Sequence, residues 1–280
     1  MPADLSQDTA VAPIPEAPGW YAATLPDSWS WRLPAGGVLM TVGLRAMQAA
    51  LDDPGLKLVS ANTLFCSPVA AGPVEIRVDI LRRGNATAQV RASLRAPPSR
   101  GPDLEVSATF ARDREILDVI DAAPPSVPQP ADAPPYVEPM RGGGTYPFLE
   151  NFESRLALGN RWWQAGWEPG PARFARWIRY LMPQRLAGGA LDPLAIPPIA
   201  DLMPTSLSQK VGPAGPRFYA PSLDLTVHFL DPTESEWLLV NTYARRARAG
   251  VATAEVEIWG EDGRLAAYGT QTMMLRKPSR

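Results

Sequence analysis

The chain has 280 residues, 45% of them hydrophobic, enough to bury a sizeable core in one large domain or two of ordinary size. Lys plus Arg number 27 against 29 Asp plus Glu, a formal net charge of −2, so no basic excess favours nucleic acid and no acidic excess favours a basic partner. One cysteine, Cys66, excludes an internal disulfide framework, and one histidine leaves no cluster with metal-ligand spacing; no metal and no cofactor is expected.

Residues 1–19, rich in Pro, Ala, Asp and Ser, read as a disordered lead-in. They have no signal-peptide core, and no later apolar run is long enough to span a bilayer, so the expectation is a cytoplasmic protein without membrane contact. Structure is expected from Trp20, with a strand from Tyr21 interrupted at Pro26-Asp27. The loop Leu33-Pro34-Ala35-Gly36-Gly37 then opens a helix over Val38–Asp52. On it Thr41, Arg45, Gln48 and Asp52 form one narrow polar stripe, which predicts a helix covered on most sides.

Four strands are predicted next, at Leu58–Cys66, Val74–Leu81, Ala86–Ala96 and Leu104–Arg112. The second alternates Val74, Ile76, Val78 and Ile80 with Glu75, Arg77 and Asp79, the pattern of an antiparallel sheet with one wet face. One apolar helix and one such sheet predict a sheet curled around a central helix. Residues 122–145 carry recurrent prolines, incompatible with a helix interior or a central strand, and read as a linker between an N-terminal half (20–121) and a C-terminal half (146–280).

In the second half, periodicity at Tyr146–Leu158 and Phe174–Leu181 fits helix or strand about equally, and Leu191–Met203 reads as a second helix despite Pro197-Pro198. Four strands close the chain, at Pro221–Phe229, Trp237–Ala247, Ala249–Trp259 and Leu265–Arg276. In the first of these, Asp224, Thr226 and His228 alternate with Leu225, Val227 and Phe229, so period two places a carboxylate, a hydroxyl and the sole histidine on one wall. Gln271 stands in the last strand, an amide able to donate and accept. The plain alternative for Asp224 is a strand-end carboxylate capping its own turn. For His228 it is a packing residue, for Cys66 a buried thiol, and for Arg245 and Arg246 a solvated strand face.

The two halves repeat one order, a helix and then four strands, the first ending Phe65-Cys-Ser-Pro68 and Phe229-Leu-Asp-Pro232; this register sets Ser60 against Asp224. With Ala35-Gly36-Gly37 before the first helix, Ala200-Asp201-Leu202-Met203-Pro204 in the second, Glu236-Trp237-Leu238-Leu239, and Asp262-Gly263-Arg264-Leu265 ahead of Gln271, the chain resembles the acyl-CoA thioesterase family of double-hotdog proteins that includes bacterial thioesterase II. The resemblance runs from about Trp20 to Lys277. It implies an α+β double hotdog: two antiparallel sheets, each wrapped around a central helix, joined edge to edge, in a homo-oligomer. The substrate it implies is an acyl-CoA or acyl-carrier thioester.

In that family an Asp, a Gln and a hydroxyl residue hold the attacking water. The match sets Asp224 as the base and Gln271 as the residue that orients the water, while the hydroxyl position falls at Arg245. Amides around Gly36, Gly37 and Val38 at the helix start are expected to form the oxyanion hole. Thr226, His228, Arg245 and Arg246 are the further candidates for contact with substrate, the arginines through a CoA phosphate. Two rivals stand beside hydrolysis: hydration or dehydration of an acyl thioester by Asp224 with His228, and an acyl-CoA binding module silenced at Arg245. No Gly-x-Ser-x-Gly elbow and no phosphate-binding Gly-Lys-Ser/Thr loop occurs in the chain.

Overall fold

The computed structural model describes residues 2–140 and 143–277, and in it the alternating segments of both halves join into one antiparallel sheet of twelve strands. The N-terminal half contributes β1 (Ala12–Pro13), β2 (Trp20–Leu25), β3 (Lys57–Phe65), β4 (Gly72–Arg83), β5 (Thr87–Arg95) and β6 (Leu104–Ala111). The C-terminal half contributes β7 (Phe152–Leu158), β8 (Arg173–Tyr180), β9 (Ser222–Phe229), β10 (Leu238–Arg248), β11 (Val251–Gly260) and β12 (Leu265–Met274). The ambiguous pair of segments in the second half is therefore β7 and β8, and each half is a hotdog.

A short helix, α1 (Leu5–Asp8), precedes the first half, and its central helix is α2 (Gly36–Leu51). Most of α2 is buried, including Val38, Met40, Val42, Leu44 and Met47, as its thin polar stripe requires. The first half of the stripe is engaged: Thr41 Oγ1 donates to the Leu194 carbonyl at 2.9 Å, and Arg45 Nε donates to Thr9 Oγ1 at 2.7 Å. In the second half the expected helix over Leu191–Met203 is broken. A 3-10 turn at Pro193–Ala195 runs into α3 (Ile196–Ala200), and after Met203 the chain restarts as α4 (Pro204–Val211). The prolines explain the segmentation, since each of the two α-helices has Pro in its first turn, where no amide donor is needed.

Strand order makes the repeat explicit. It reads β1-β2-β4-β5-β6-β3 to the seam and β9-β12-β11-β10-β8-β7 beyond it. At the seam β3 pairs with β9 antiparallel, Ser60 opposite His228, Asn62 opposite Thr226 and Leu64 opposite Asp224. The Phe-x-x-Pro register makes Asn62 the counterpart of Thr226, and these two meet, Asn62 Nδ2 donating to Thr226 Oγ1 at 2.8 Å. A residue pairing with its own counterpart marks a pseudo-twofold axis, so the halves are related as the protomers of an isologous dimer. Even the irregularities repeat: one residue bulges from β3 between Leu58 and Ser60, and one from β9 between Ser222 and Asp224.

The expectation of a disordered lead-in over residues 1–19 is corrected. The N-terminal segment packs on the domain: Leu5 is fully buried, Asp8 accepts from Trp29 Nε1 at 2.8 Å, and Ala3 N donates to Asn151 Oδ1 at 3.0 Å. Composition missed it because one buried leucine and side-chain hydrogen bonds hold a short segment that has no periodic pattern. The proline-rich stretch is likewise packed. Trp177 Nε1 donates to the Pro128 carbonyl at 2.8 Å, Ala133 and Tyr136 are buried, and residues 134–136 bond to β7. Proline forbids regular pairing but leaves carbonyls free to accept, so residues 127–136 are a strap over the outer face of the second half of the sheet. Among the described residues no helix is long and apolar enough to cross a membrane.

Candidate active site

Three polar side chains from the second half and one backbone turn from the first converge where α2 begins. Gly36 and Gly37 bring the start of α2 against α3 and the residue that caps it, Asp201. A Cβ on Gly37 would overlap the Pro197 carbonyl, and one on Gly36 would lie 2.8 Å from Asp201 Oδ2 and 2.7 Å from the Phe65 ring. Glycine is needed here for close approach. The Gly37 amide donates to Asp201 Oδ2 at 3.1 Å, and the positive end of α2 favours the carboxylate. Asp201 Oδ1 accepts from Ser222 Oγ at 2.8 Å and from Gln271 Nε2, while Gln271 Nε2 also lies 2.6 Å from Ser222 Oγ.

Gln271 is almost fully buried, and its Oε1 has no partner among the described residues. The site thus carries one open acceptor beside a carboxylate. Burial drives the Asp201 carboxyl up to about 6, against the opposing pull of the hydrogen bonds from Ser222, the Gly37 amide, Gln271 and the Gly36 amide. A carboxylate tuned to that range changes protonation near neutrality, which suits it to take and return a proton.

The candidates from sequence separate into two groups. Gln271, Gly36 and Gly37 are at this site; Val38 is wholly buried in the same first turn of α2, its amide bonded to the Ala35 carbonyl. Asp224, Thr226 and His228 are not at the site. Gln271 pairs with Leu225 and Thr272 with Asp224, so Asp224 points to the opposite, outer face of the sheet, where its Oδ1 caps the Thr272 amide at 2.9 Å. Thr226 is engaged by Asn62, and His228 is exposed, stacked at 6.3 Å on Tyr268. Asp201 therefore replaces Asp224 as the carboxylate beside Gln271.

A hydroxyl does stand beside the carboxylate, that of Ser222. By strict alternation Ser222 would share the outer face with Asp224, but the bulge between them turns Ser222 to the inner face, opposite Met273 and beside Gln271. Arg245, where the hydroxyl was expected, is the bulged residue of β10, ion-paired with Glu255 and stacked 4.2 Å over Tyr243 on the outer face. Arg246 is exposed farther along the same strand. Neither arginine touches the carboxylate. The Gly37 amide, expected as a free oxyanion donor, is engaged by Asp201.

One sequence signal marked Asp201: it is the lone charged residue between Pro193 and Pro204, in a run otherwise built from Leu, Ala, Ile, Pro and Met. A carboxylate in so apolar a segment is either costly or functional. In the other half the counterpart of Ser222 is Leu58, buried and without a polar atom, and Ala108, opposite Ala61, takes the place of Gln271. The pseudo-dimer holds one such constellation among the described residues.

Residues 25–111 match the model of the acyl-CoA thioesterase N-terminal domain, and residues 121–275 match that of the acyl-CoA thioesterase C-terminal domain. No curated protein matches the chain. Among solved structures the chain is similar to a conserved protein of unknown function with hot dog fold from Alicyclobacillus acidocaldarius, at 21% identity, 98% coverage of each chain and a TM-score of 0.82. It is also similar to the acyl-CoA thioesterase II TesB2 from Mycobacterium marinum, at 19% identity, 99% coverage of each and a TM-score of 0.76. A more distant likeness is to the dehydratase domain of RzxB from Pseudomonas fluorescens, at 12% identity, covering 92% of this chain and 94% of that one, with a TM-score of 0.57. These likenesses show the double-hotdog fold, which carries more than one chemistry.

Proposed function

Because the chain belongs to the acyl-CoA thioesterase family, we propose that it hydrolyses acyl-CoA thioesters with a water held by Asp201 and Gln271, which Ser222 positions. The observation that carries this reading is the open Gln271 Oε1, a buried acceptor beside a carboxylate that is held at about 6. A water seated there donates one hydrogen to Gln271 Oε1 and the other to Asp201. As its oxygen attacks the thioester carbonyl, Asp201 takes the proton; collapse of the tetrahedral adduct breaks the C–S bond, and the sulfur leaves as thiolate and is reprotonated. The products are one carboxylic acid and one thiol per water consumed.

Each side chain has a distinct part. Asp201 moves the proton, and Gln271 orients the water. Ser222, fixed by both, keeps the carboxylate and the amide in register. The rivals lose their footing: Asp224 and His228, the pair needed for hydration, lie on the outer face, and Arg245, the reason for a silent binding module, is remote from the carboxylate.

The test is thiol release from short, medium and long acyl-CoAs, with incorporation of labelled water oxygen into the acid. Release of thiol and labelled acid in equal amounts is expected; an intact thioester across the whole panel overturns the proposal. Ser222→Ala removes a hydrogen bond to a charged group, so kcat/KM should fall roughly 10-fold or more. That hydroxyl also pulls the Asp201 carboxyl down, so the acidic limb of the pH profile in Ser222→Ala should move to higher pH.

A further inference from the structure

Thr63 is fully buried in β3, and its Oγ1 has no partner among the described residues. It pairs with Val106 on one side and with Leu225 across the seam, and Leu225 in turn pairs with Gln271. Residues directly opposite in antiparallel strands share a face, so Thr63 and Gln271 lie on the inner face at one level, two strand spacings or roughly 10 Å apart at the backbone. These are two unsatisfied buried polar atoms on one line across the interface between the halves.

The repeat supplies an internal reference. The counterpart of Thr63 in the second half is Val227, also fully buried on the inner face, where it pairs with Ala61. Valine has the shape of threonine without the hydroxyl, so the position itself asks only for a β-branched side chain in a strand. In the half that faces the carboxylate from across the seam, the chain instead keeps a hydroxyl that costs about 1–3 kcal/mol if left unbonded. Packing accounts for the branched shape but not for the oxygen.

We infer that Thr63 is a specificity residue that hydrogen-bonds the thioester carrier arm, at the first amide beyond the sulfur; this rests on the proposed thioesterase site. A plain acyl chain offers a hydroxyl nothing to bond. Every CoA or carrier-protein thioester, by contrast, holds an amide two methylenes past the sulfur, at a fixed distance from the reacting carbonyl. A fixed buried hydroxyl matches a polar group at fixed distance, since it can donate to the amide carbonyl or accept from its N–H.

The experiment compares wild type, Thr63→Val and Thr63→Ser on one acyl group carried as its CoA thioester, its N-acetylcysteamine thioester and its S-propyl thioester. The first two carry the amide and the third does not. Thr63→Val should lower kcat/KM about tenfold for both amide-bearing substrates, with S-propyl turnover unchanged and Thr63→Ser restoring most of the loss. Melting temperature should not fall, because valine already serves at the counterpart position. Equal losses on all three substrates, or no loss on any, would each overturn the assignment. If wild type hydrolyses none of them, the thioesterase reading fails separately. Binding of a non-hydrolysable S-alkyl-CoA thioether then decides for Thr63: about tenfold weaker binding in Thr63→Val supports the contact, and equal binding removes it.

Discussion

Asp201→Asn should abolish most thiol release while leaving the fold intact, and Asp224→Asn should leave release unchanged. The first substitution removes the carboxylate that takes the water's proton, a role worth typically about 10²–10⁴-fold. The second keeps an acceptor for the Thr272 amide on the far face of the sheet and alters nothing that Gln271 touches. Progress curves for the two variants against one acyl-CoA decide between them, and a large loss in Asp224→Asn with an active Asp201→Asn would reverse the assignment. In wild type, kcat/KM should rise with pH through about 6, as Asp201 gives up its proton.

The same carboxyl should make stability and activity move in opposite directions. Its folded-state value, about 6, lies above the ordinary 3.8, so the folded protein binds this proton more tightly than the unfolded chain does. Its stabilising contribution is complete below about 3.8 and is lost as pH rises through 6, a swing of about 3 kcal/mol. Above pH 7 the wild type bears the full cost of a buried charge, whereas Asp201→Asn does not. The variant should therefore melt higher than wild type at pH 8 and lose that advantage at pH 4. Thermal melts at the two pH values check this, and an advantage independent of pH would mean that Asp201 is not the group titrating.

The fold was legible because its signals are periodic. Clean alternation in Val74–Leu81 and the narrow polar stripe of the first helix each follow from a surface that must be half buried, and they predict a sheet curled around a helix; the pairing of two such units as hotdogs rests on the family resemblance. The site was half legible. Gln271 and Gly36-Gly37 are named as site residues from the sequence and meet in one cluster, whereas the carboxylate and the hydroxyl that join them, Asp201 and Ser222, are not. Period-two reasoning assumes an unbroken pleat: it correctly sets Asp224, Thr226 and His228 on one wall, the outer one, but the extra residue at Leu223 moves Ser222 to the inner face against the alternation. The helix break at Met203-Pro204 matters equally, because it ends α3 at Asp201 and points that carboxylate at the start of α2. Neither feature has a residue type that announces it, since Leu223 is an ordinary strand residue.

Gly37→Ala should be the most damaging single change outside the acidic residue, and its effect should differ in kind from that of Gly36→Ala. The Cβ that Gly37→Ala adds meets backbone, the Pro197 carbonyl, on a segment fixed by two prolines. It can be accommodated only by driving α2 and α3 apart, an overpacking cost at or beyond the upper end of about 1–3 kcal/mol. That shift also carries the Gly37 amide away from Asp201, and a misplacement near 1 Å costs about 10²-fold in rate. At Gly36 the obstructing groups are the Phe65 ring, which can turn aside, and Asp201 Oδ2, which cannot leave without breaking its bond from the Gly37 amide. Gly36→Ala should accordingly lose activity with a small change in melting temperature, whereas Gly37→Ala should lose both. Paired melts and progress curves on the two variants separate these outcomes. Equal melting of Gly37→Ala and wild type would mean that α2 and α3 do not meet at this glycine, and the close approach on which the site depends would have to be abandoned.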